Sequence, residues 1–134
     1  MAEPALKYIT AEEYLKPERA AIEKHEFYQG EVFVRPGATV KHNTIQINFV
    51  GEVRNFLKGK PCQVFGSDLR VHIPSNSLFT YPDALIVCGK PELLNEERDT
   101  LLSPVVIVEI LSKSTQSYDR GDKFMLYRAV RSLK

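Results

Sequence analysis

Residues 104–111 constrain the fold most strongly, because this segment is apolar at every position except Glu109. The segment is far shorter than the roughly 20 residues of a membrane helix, and its composition is typical of a central strand that is covered on both faces. A carboxylate in that setting is costly unless it is paired, hydrogen-bonded or bound to a metal. Glu109 is therefore either a metal ligand or acid–base residue at the mouth of a sheet, or a salt-bridged residue at the strand's exposed end.

The elements predicted around this strand favour an α/β fold, with a mixed β-sheet flanked by helices. A capping-box pattern predicts a helix over residues 10–16, and a Gln-Gly turn predicts a hairpin over residues 27–35. Apolar side chains with a helical period predict an amphipathic helix over residues 43–58. Short strands follow, and a last helix is predicted over residues 118–133.

The chain of 134 residues is expected to form a single domain, residues 1–134, because no linker or repeat divides it. Its last helix should bury Phe124, Tyr127 and Val130 on one face. Neither Gly nor Pro marks the end of that helix. The sequence therefore predicts a fragment that is truncated at the C-terminus.

Composition and charge narrow the functional classes. Eighteen basic and seventeen acidic side chains leave a net charge of +1, which is not the footprint of a strongly cationic nucleic-acid or membrane-surface binder. No secretory signal opens the chain. Cys62 and Cys88 have neither a metal-type spacing nor the number needed for a disulfide framework, so we expect reduced thiols in a cytoplasmic protein without membrane contact. A homodimer is the default expectation for its assembly.

Asp83 repeats the pattern of Glu109, because it opens a second apolar run at residues 84–87. Considered alone, Asp83 is more typical of a turn residue. Together with Glu109 on a neighbouring strand, however, it would present several carboxylate oxygens to one hard cation such as Mg²⁺. A lysine on the next element would then stabilise negative charge on a phosphate. Lys113 and Lys123 are both candidates, and Lys123 is the better placed; a solvated helix lysine is the alternative.

Six short motifs are spread along the chain. They are EFYQGE at residues 26–31, KHN at 41–43, SDLRV at 67–71, YPDALIV at 81–87, VIVEILS at 106–112 and YDRGDK at 118–123. In order and spacing they resemble the Uma-type family of restriction-endonuclease-like proteins, within the PD-(D/E)XK nuclease superfamily. The resemblance extends over residues 8–134, and it implies a restriction-endonuclease-like sheet that continues with another strand after residue 134.

The resemblance implies a metal-dependent endodeoxyribonuclease that hydrolyses DNA phosphodiester bonds with Mg²⁺ or Mn²⁺. The Pro-Asp position of the superfamily matches Asp83, and its glutamate matches Glu109. The superfamily lysine would fall on Leu111, which cannot supply the charge. The family pattern instead matches Lys123 on the following helix, with Lys113 as the rival. Asp83, Glu109 and Lys123 are therefore the predicted catalytic residues, and the two carboxylates are the predicted metal ligands.

Three further residues are candidates for the site. His42, at the start of the long helix, would line the site or touch a phosphate, unless it is only a polar surface residue. Glu31 is preferred over Glu26 as a third, outer carboxylate, because Glu31 opens a strand. Asp68 would approach the metal, although turn chemistry is the more usual role for an Asp in such a position.

Two other functional classes remain open at this point. The first is a nuclease-fold module that has lost catalysis and only binds nucleic acid or a protein partner; the small net charge and Leu111 favour it. The second is a structural or self-assembling protein whose carboxylates are salt-bridged. A nuclease site requires Asp83 and Glu109 to converge with Lys123 close to them.

Overall fold

The computed structural model describes residues 8–111 and 121–134, and in these ranges two β-sheets lie among three helices. In chain order, the elements are α1 (Ala11–Glu18), β1 (His25–Tyr28), β2 (Glu31–Val34), α2 (Val40–Leu57), β3 (Cys62–Phe65), β4 (Arg70–Ile73), β5 (Leu78–Thr80), β6 (Ala84–Cys88), β7 (Thr100–Leu101), β8 (Val106–Val108) and α3 (Asp122–Tyr127). One sheet has the strand order β2-β1-β5-β4-β7 and the other has the order β3-β6-β8. The β4–β7 pair is parallel and the other pairs are antiparallel. The predicted α/β class with a mixed sheet is confirmed.

The first helix and the first hairpin form where local sequence predicts them. The hydroxyl of Thr10 accepts the Glu13 N–H at 3.1 Å, and the Glu13 carboxylate accepts the Thr10 N–H at 3.1 Å, which completes the capping box. The helix continues two residues beyond the predicted end, with Pro17 in its last turn. Gln29 and Gly30 have φ values of 48° and 82°, as a two-residue hairpin turn requires.

Three clusters of buried apolar side chains form the core of the described ranges. The first lies beneath α1, where the Tyr14 and Phe27 rings stack with centroids 5.0 Å apart. The second joins the two sheets through Val71 on β4 and Leu85 on β6. The third packs Tyr127 of α3 against β4 and β5. The third cluster therefore fixes the position of α3 relative to the sheet.

The last helix differs from its prediction at several points. Tyr127 and Val130 are buried, as predicted, but Phe124 is 56% exposed, and Lys123 takes the inward position instead. Adjacent helical residues point about 100° apart, so only one of Lys123 and Phe124 can face the core here. The helix ends at Tyr127 rather than at residue 133, and its predicted start at residue 118 lies outside the described residues.

The apolar segment 104–111 is not a covered central strand in the described structure. Its strand, β8, pairs with β6 only, among the residues described, and Val106 is 37% exposed. The middle strand of this sheet is β6, whose Leu85 is fully buried. A continuous apolar run indicates two contacted faces, but it does not reveal whether a second strand pairs with the other edge.

The long helix α2 begins earlier than predicted. Thr39 is its N-cap, and the Thr39 hydroxyl accepts the His42 N–H at 3.1 Å, whereas the predicted helix starts at residue 43. None of the 18 residues of α2 is buried, and Phe56, one of the apolar side chains that give the helix its period, is 68% exposed. A helical period identifies the apolar face but not what covers it. In the described ranges, no helix combines the length and hydropathy that a membrane crossing requires.

The two cysteines are joined by a disulfide, so the prediction of reduced thiols is wrong. Cys62 on β3 lies directly opposite Cys88 on β6, and their Cα atoms are 4.0 Å apart. This proximity arises from the register of the two strands. A linear spacing of 26 residues does not contain that information, which is why the sequence pattern did not reveal the bond.

The environment of His72 makes the stability of the fold depend on pH. Its ring stacks on Phe79 with centroids 3.9 Å apart, and its Nδ1 lies 3.0 Å from the Leu78 carbonyl oxygen. Burial lowers the pKa of His72 below its usual value, although the carbonyl partly opposes the shift. Because the unfolded chain then binds the extra proton more readily, this residue's contribution to stability is present above about pH 6.5 and is lost as the pH falls below it.

We therefore expect His72→Phe, which keeps a stacked ring, to flatten the pH dependence of stability on the acid side of neutrality. Urea unfolding of both proteins at several pH values between about 7.5 and 5 measures the effect. The wild-type free energy of unfolding should fall more steeply with acidification than that of the variant. Identical slopes would show that His72 is not the group responsible.

Candidate active site

Asp83 lies immediately before β6, where its carboxylate is held from three directions. Its Oδ1 accepts a hydrogen bond from the Arg35 guanidinium at 2.8 Å and lies 3.3 Å from Nε2 of His42. Its Oδ2 accepts the backbone N–H of Ile110 at 2.7 Å. The residue is only 2% exposed, so these contacts replace the water that a carboxylate would otherwise require.

The backbone around Asp83 is fixed by the same neighbours. Arg35 also donates to the Tyr81 carbonyl oxygen, and the Gln46 side-chain amide donates to the Asp83 carbonyl oxygen at 2.6 Å. Arg35 follows β2 and Gln46 lies on α2, so the segment is secured from two elements that are distant in sequence. Neither Arg35 nor Gln46 was singled out from the sequence, because only the tertiary fold brings them here.

Tyr81 fixes the short connection between β5 and β6, two residues before Asp83. Its hydroxyl donates to Glu18 Oε2 at 2.6 Å and accepts from the Arg70 guanidinium at 3.0 Å. Burial and the hydrogen bond to Glu18 raise the pKa of Tyr81 to about 12, so its hydroxyl keeps its proton near neutral pH. This network ties the Asp83 segment to α1 and β4.

Glu109 follows β8 and lies at the same end of the strand pair as Asp83. Ala84 of β6 is paired with Val108 of β8 in antiparallel register, so the residue before one strand neighbours the residue after the other. The hydrogen bond from Ile110 to Asp83 joins the two positions. The Oε1 atom of Glu109 accepts the Tyr127 hydroxyl at 2.5 Å. The two predicted carboxylates are therefore brought to one end of the β6–β8 pair.

Lys123 lies in the first turn of α3 and is only 3% exposed. Its Nζ is 3.4 Å from Oε1 of Glu109 and 3.2 Å from Oε1 of Glu26. One buried ammonium therefore lies between two carboxylates, which explains why this position, rather than Phe124, faces inward. The predicted proximity of Lys123 to Glu109 is confirmed by this distance, while its catalytic role stays a prediction.

Tyr127 is fixed as a hydrogen-bond donor by its surroundings. Burial, together with the charge of Glu109 and the hydrogen bond to it, raises the pKa of Tyr127 well above its usual value. The phenol therefore stays protonated and orients the Glu109 carboxylate. Sequence reasoning assigned Tyr127 to the core only, because an apolar ring on a helical face gives no sign of the partner its hydroxyl will find.

The carboxylate that joins this cluster is Glu26, whereas the sequence favoured Glu31. Glu26 lies in the middle of β1, opposite Phe33, and is buried against Lys123. Glu31 pairs with Tyr28 beside the hairpin turn. A strand-opening position does not decide which way a side chain points, whereas strand alternation places Glu26 on the opposite face from its neighbours.

The other predicted site residues fall in different places. His42 contacts Asp83, as described above, and so belongs to the site. Asp68 forms an ion pair with Lys24 at 2.6 Å, but its side chain is 94% exposed and lies at the surface. Lys113 lies outside the described residues, so it stays the alternative to Lys123 as the predicted catalytic lysine.

The side-chain oxygens at this end of the β6–β8 pair are of the type that a hard cation binds. Asp83 and Glu109 provide carboxylate oxygens, and Mg²⁺ is typically held by one or two carboxylates together with waters and substrate phosphates. Among residues 8–111 and 121–134, no group of three or more His, Cys, Asp and Glu side chains is arranged as a metal site. The described residues therefore fit a metal held by two carboxylates, those of Asp83 and Glu109. The Oδ1 atom of Asp83 also contacts Arg35 and His42.

The fold belongs to a nuclease-like class. It superposes on the crystal structure of a protein from Anabaena variabilis that is described as "a putative nuclease belonging to DUF820", with a TM-score of 0.68 and 26% sequence identity. The similarity covers 89% of this chain and 66% of that one. This likeness supports the restriction-endonuclease-like architecture predicted from the sequence.

The chain belongs to the Uma2 family, described as "Putative restriction endonuclease", which matches residues 11–133. Two proteins of Synechocystis sp., each described as an "Uncharacterized protein", are similar along most of the chain. One is 32% identical over 128 residues, which are 96% of this chain and 72% of that protein. The other is 34% identical over 119 residues, which are 89% of this chain and 62% of that protein. The resemblance recognised in the sequence motifs is thereby confirmed.

Proposed function

We propose that this chain carries the active site of a Mg²⁺-dependent endonuclease that hydrolyses phosphodiester bonds in DNA. The observation that carries the proposal is the arrangement at one end of the β6–β8 pair. There Asp83 is hydrogen-bonded to the residue after Glu109, and Lys123 lies 3.4 Å from the Glu109 carboxylate. The family description and the nuclease neighbour support the same class of activity.

In this proposal Asp83 and Glu109 hold the metal through their carboxylate oxygens. A metal bound there would supply an activated water and neutralise charge on the phosphate. Mn²⁺ would serve in its place, because it also accepts oxygen ligands. The Tyr127 hydroxyl keeps Glu109 oriented, and the Arg35 guanidinium keeps Asp83 oriented.

Lys123 would contribute positive charge that is already in position. Its ammonium lies between Glu26 and Glu109, so no reorganisation is needed before negative charge develops on the phosphate. This assignment gives Lys123 the part that the superfamily lysine would play at Leu111. Glu26 then serves as a positioning residue that holds the ammonium from the side opposite Glu109.

Nicking of supercoiled plasmid by the purified protein tests this function. We expect nicking with Mg²⁺ or Mn²⁺ and none with EDTA, and we expect Glu109→Gln to lower the rate by at least about 100-fold. Glu52→Gln is the matched control, because Glu52 is an exposed acid on α2. Equal metal-dependent nicking by wild type and Glu109→Gln would contradict the assignment.

A second candidate is a nuclease-fold module that binds DNA without cleaving it. The contacts of Asp83 with Arg35, His42 and the Ile110 N–H favour it, because a metal would have to compete with them. Retarded migration of DNA by the protein in EDTA, with no nicking under any metal condition, is the result that this candidate predicts.

A further inference from the structure

A cleft of about 500 Å³ opens beside the candidate site. Asp83 forms part of its lining, so the cleft leads directly to one of the two predicted metal ligands. Its volume falls within the range of roughly 300–1,000 Å³ that is typical of small-ligand sites. The cleft therefore has room for a short stretch of an extended ligand next to Asp83.

We propose that this cleft binds the phosphodiester backbone of the DNA strand next to the bond that is cleaved. The inference rests on the proposed function and adds to it a substrate-binding surface, formed mainly by the segment before β1, the segment after β2 and the start of α2. Recognition would be by charge and hydrogen bonds to phosphate, without selection of base sequence.

The charged side chains that line the cleft are Lys24 and Arg35, which are positive, and Glu23 and Asp83, which are negative. Arg35 uses one donor on Asp83 and one on the Tyr81 carbonyl oxygen, which leaves part of its five N–H groups for another acceptor. The Nδ1 atom of His42 is buried and has no hydrogen-bond partner among the described residues. Buried polar atoms are usually paired, so a polar partner in or beside this cleft would complete the site.

Lys24 is the cation in this cleft that is most accessible to a ligand. Its side chain is 34% exposed, and its ammonium pairs with Asp68, whose side chain is 94% exposed. Exposed ion pairs contribute little to stability, so Lys24 can exchange Asp68 for a phosphate at small cost. In this proposal Lys24 holds the strand and takes no part in the chemistry.

The neutral lining fits a backbone better than a base. Asn43, Gln46 and Ser67 offer amide and hydroxyl groups, while no Phe, Tyr or Trp is among the described residues that line the cleft. Sequence-tolerant binding of bases relies on aromatic stacking, whereas phosphate contacts position a strand without reading its sequence. The first turn of α2 adds no acidic side chain. The acidic residues of the lining are Asp83, which is paired with Arg35, and Glu23, which is exposed to solvent.

Fluorescence anisotropy of a labelled DNA duplex with the whole chain tests the proposal. The measurement is made in EDTA, so that neither cleavage nor metal binding contributes. Lys24→Gln is expected to weaken binding by about 5- to 10-fold at 0.1 M salt and to reduce the salt slope by about 1, as loss of one phosphate contact requires. Two unrelated duplex sequences should be affected equally, and Lys24→Arg should restore most of the affinity.

Lys58→Gln is the matched control, because Lys58 is an exposed lysine at the opposite end of α2 from the cleft. The proposal is overturned if wild type does not bind DNA, if both glutamine variants weaken binding equally, or if the loss depends on base sequence. Thermal melting of each variant confirms that the chain is folded. Selective loss of binding in Lys24→Gln, together with a wild type that never nicks plasmid, would support the cleft and reject the nuclease function. Nicking by wild type together with unchanged DNA binding by Lys24→Gln would support the nuclease function and reject the cleft as the binding surface.

Discussion

Replacement of Lys123 by methionine is expected to abolish metal-dependent nicking and to lower the free energy of unfolding by about 3–5 kcal/mol, the cost of breaking a buried ion pair. Lys123 is 3% exposed and lies between Glu26 and Glu109. Methionine keeps most of the apolar stem but removes the ammonium. Two carboxylates would then share a buried site without a positive charge. Urea unfolding and plasmid nicking measure the two effects separately.

A double variant separates the electrostatic cost from the catalytic loss. In Glu26→Gln/Lys123→Met one of the two carboxylates is also neutralised, so we expect part of the lost stability to return while nicking stays absent. Lys58→Met, at an exposed position, should change neither property. Nicking by Lys123→Met at the wild-type rate, or loss of nicking in Lys113→Met instead, would show that the lysine is wrongly assigned.

Asp83→Asn is expected to lower the nicking rate by at least about 100-fold and to weaken Mn²⁺ binding. Asparagine has nearly the same shape but no charge, so the hydrogen bond from Ile110 can persist while the metal loses an anionic ligand. The Arg35 guanidinium would lose its charged partner at 2.8 Å. We therefore also expect a loss of stability of about 1–3 kcal/mol.

Asp68→Asn is the control for this change, because its carboxylate is exposed and pairs only with Lys24 among the described residues. Its nicking rate should match wild type within a factor of about three, since exposed ion pairs contribute about 0–1 kcal/mol. Retention of more than about a tenth of the wild-type rate by Asp83→Asn would contradict its role as a metal ligand.

The features that the sequence predicts well are those set by nearby residues. The capping box of Thr10 and Glu13 and the hairpin turn at Gln29 and Gly30 both form, because each is determined within a few positions. The convergence of Asp83 and Glu109 follows from two adjacent antiparallel strands. Their motifs were specific enough to identify the family before any contact was known.

The features that escaped prediction depend on residues far apart in the chain. Arg35 reaches Asp83 across 48 positions, and Lys123 reaches Glu26 across 97. A helical period alone could not decide between Lys123 and Phe124 for the inward position, because that choice depends on the two carboxylates that the fold places opposite. The disulfide between Cys62 and Cys88 likewise depends on strand register.

The position of a bound metal tests the central claim most directly. Crystals of the protein soaked in Mn²⁺ are examined by anomalous scattering at the Mn edge. We predict one Mn²⁺ within about 2.0–2.6 Å of carboxylate oxygens from both Asp83 and Glu109, the range for hard cations and oxygen ligands. Mn²⁺ bound elsewhere, or carboxylates of Asp83 and Glu109 more than about 10 Å apart, too far to share one ion at these ligand distances, would contradict the proposed nuclease site.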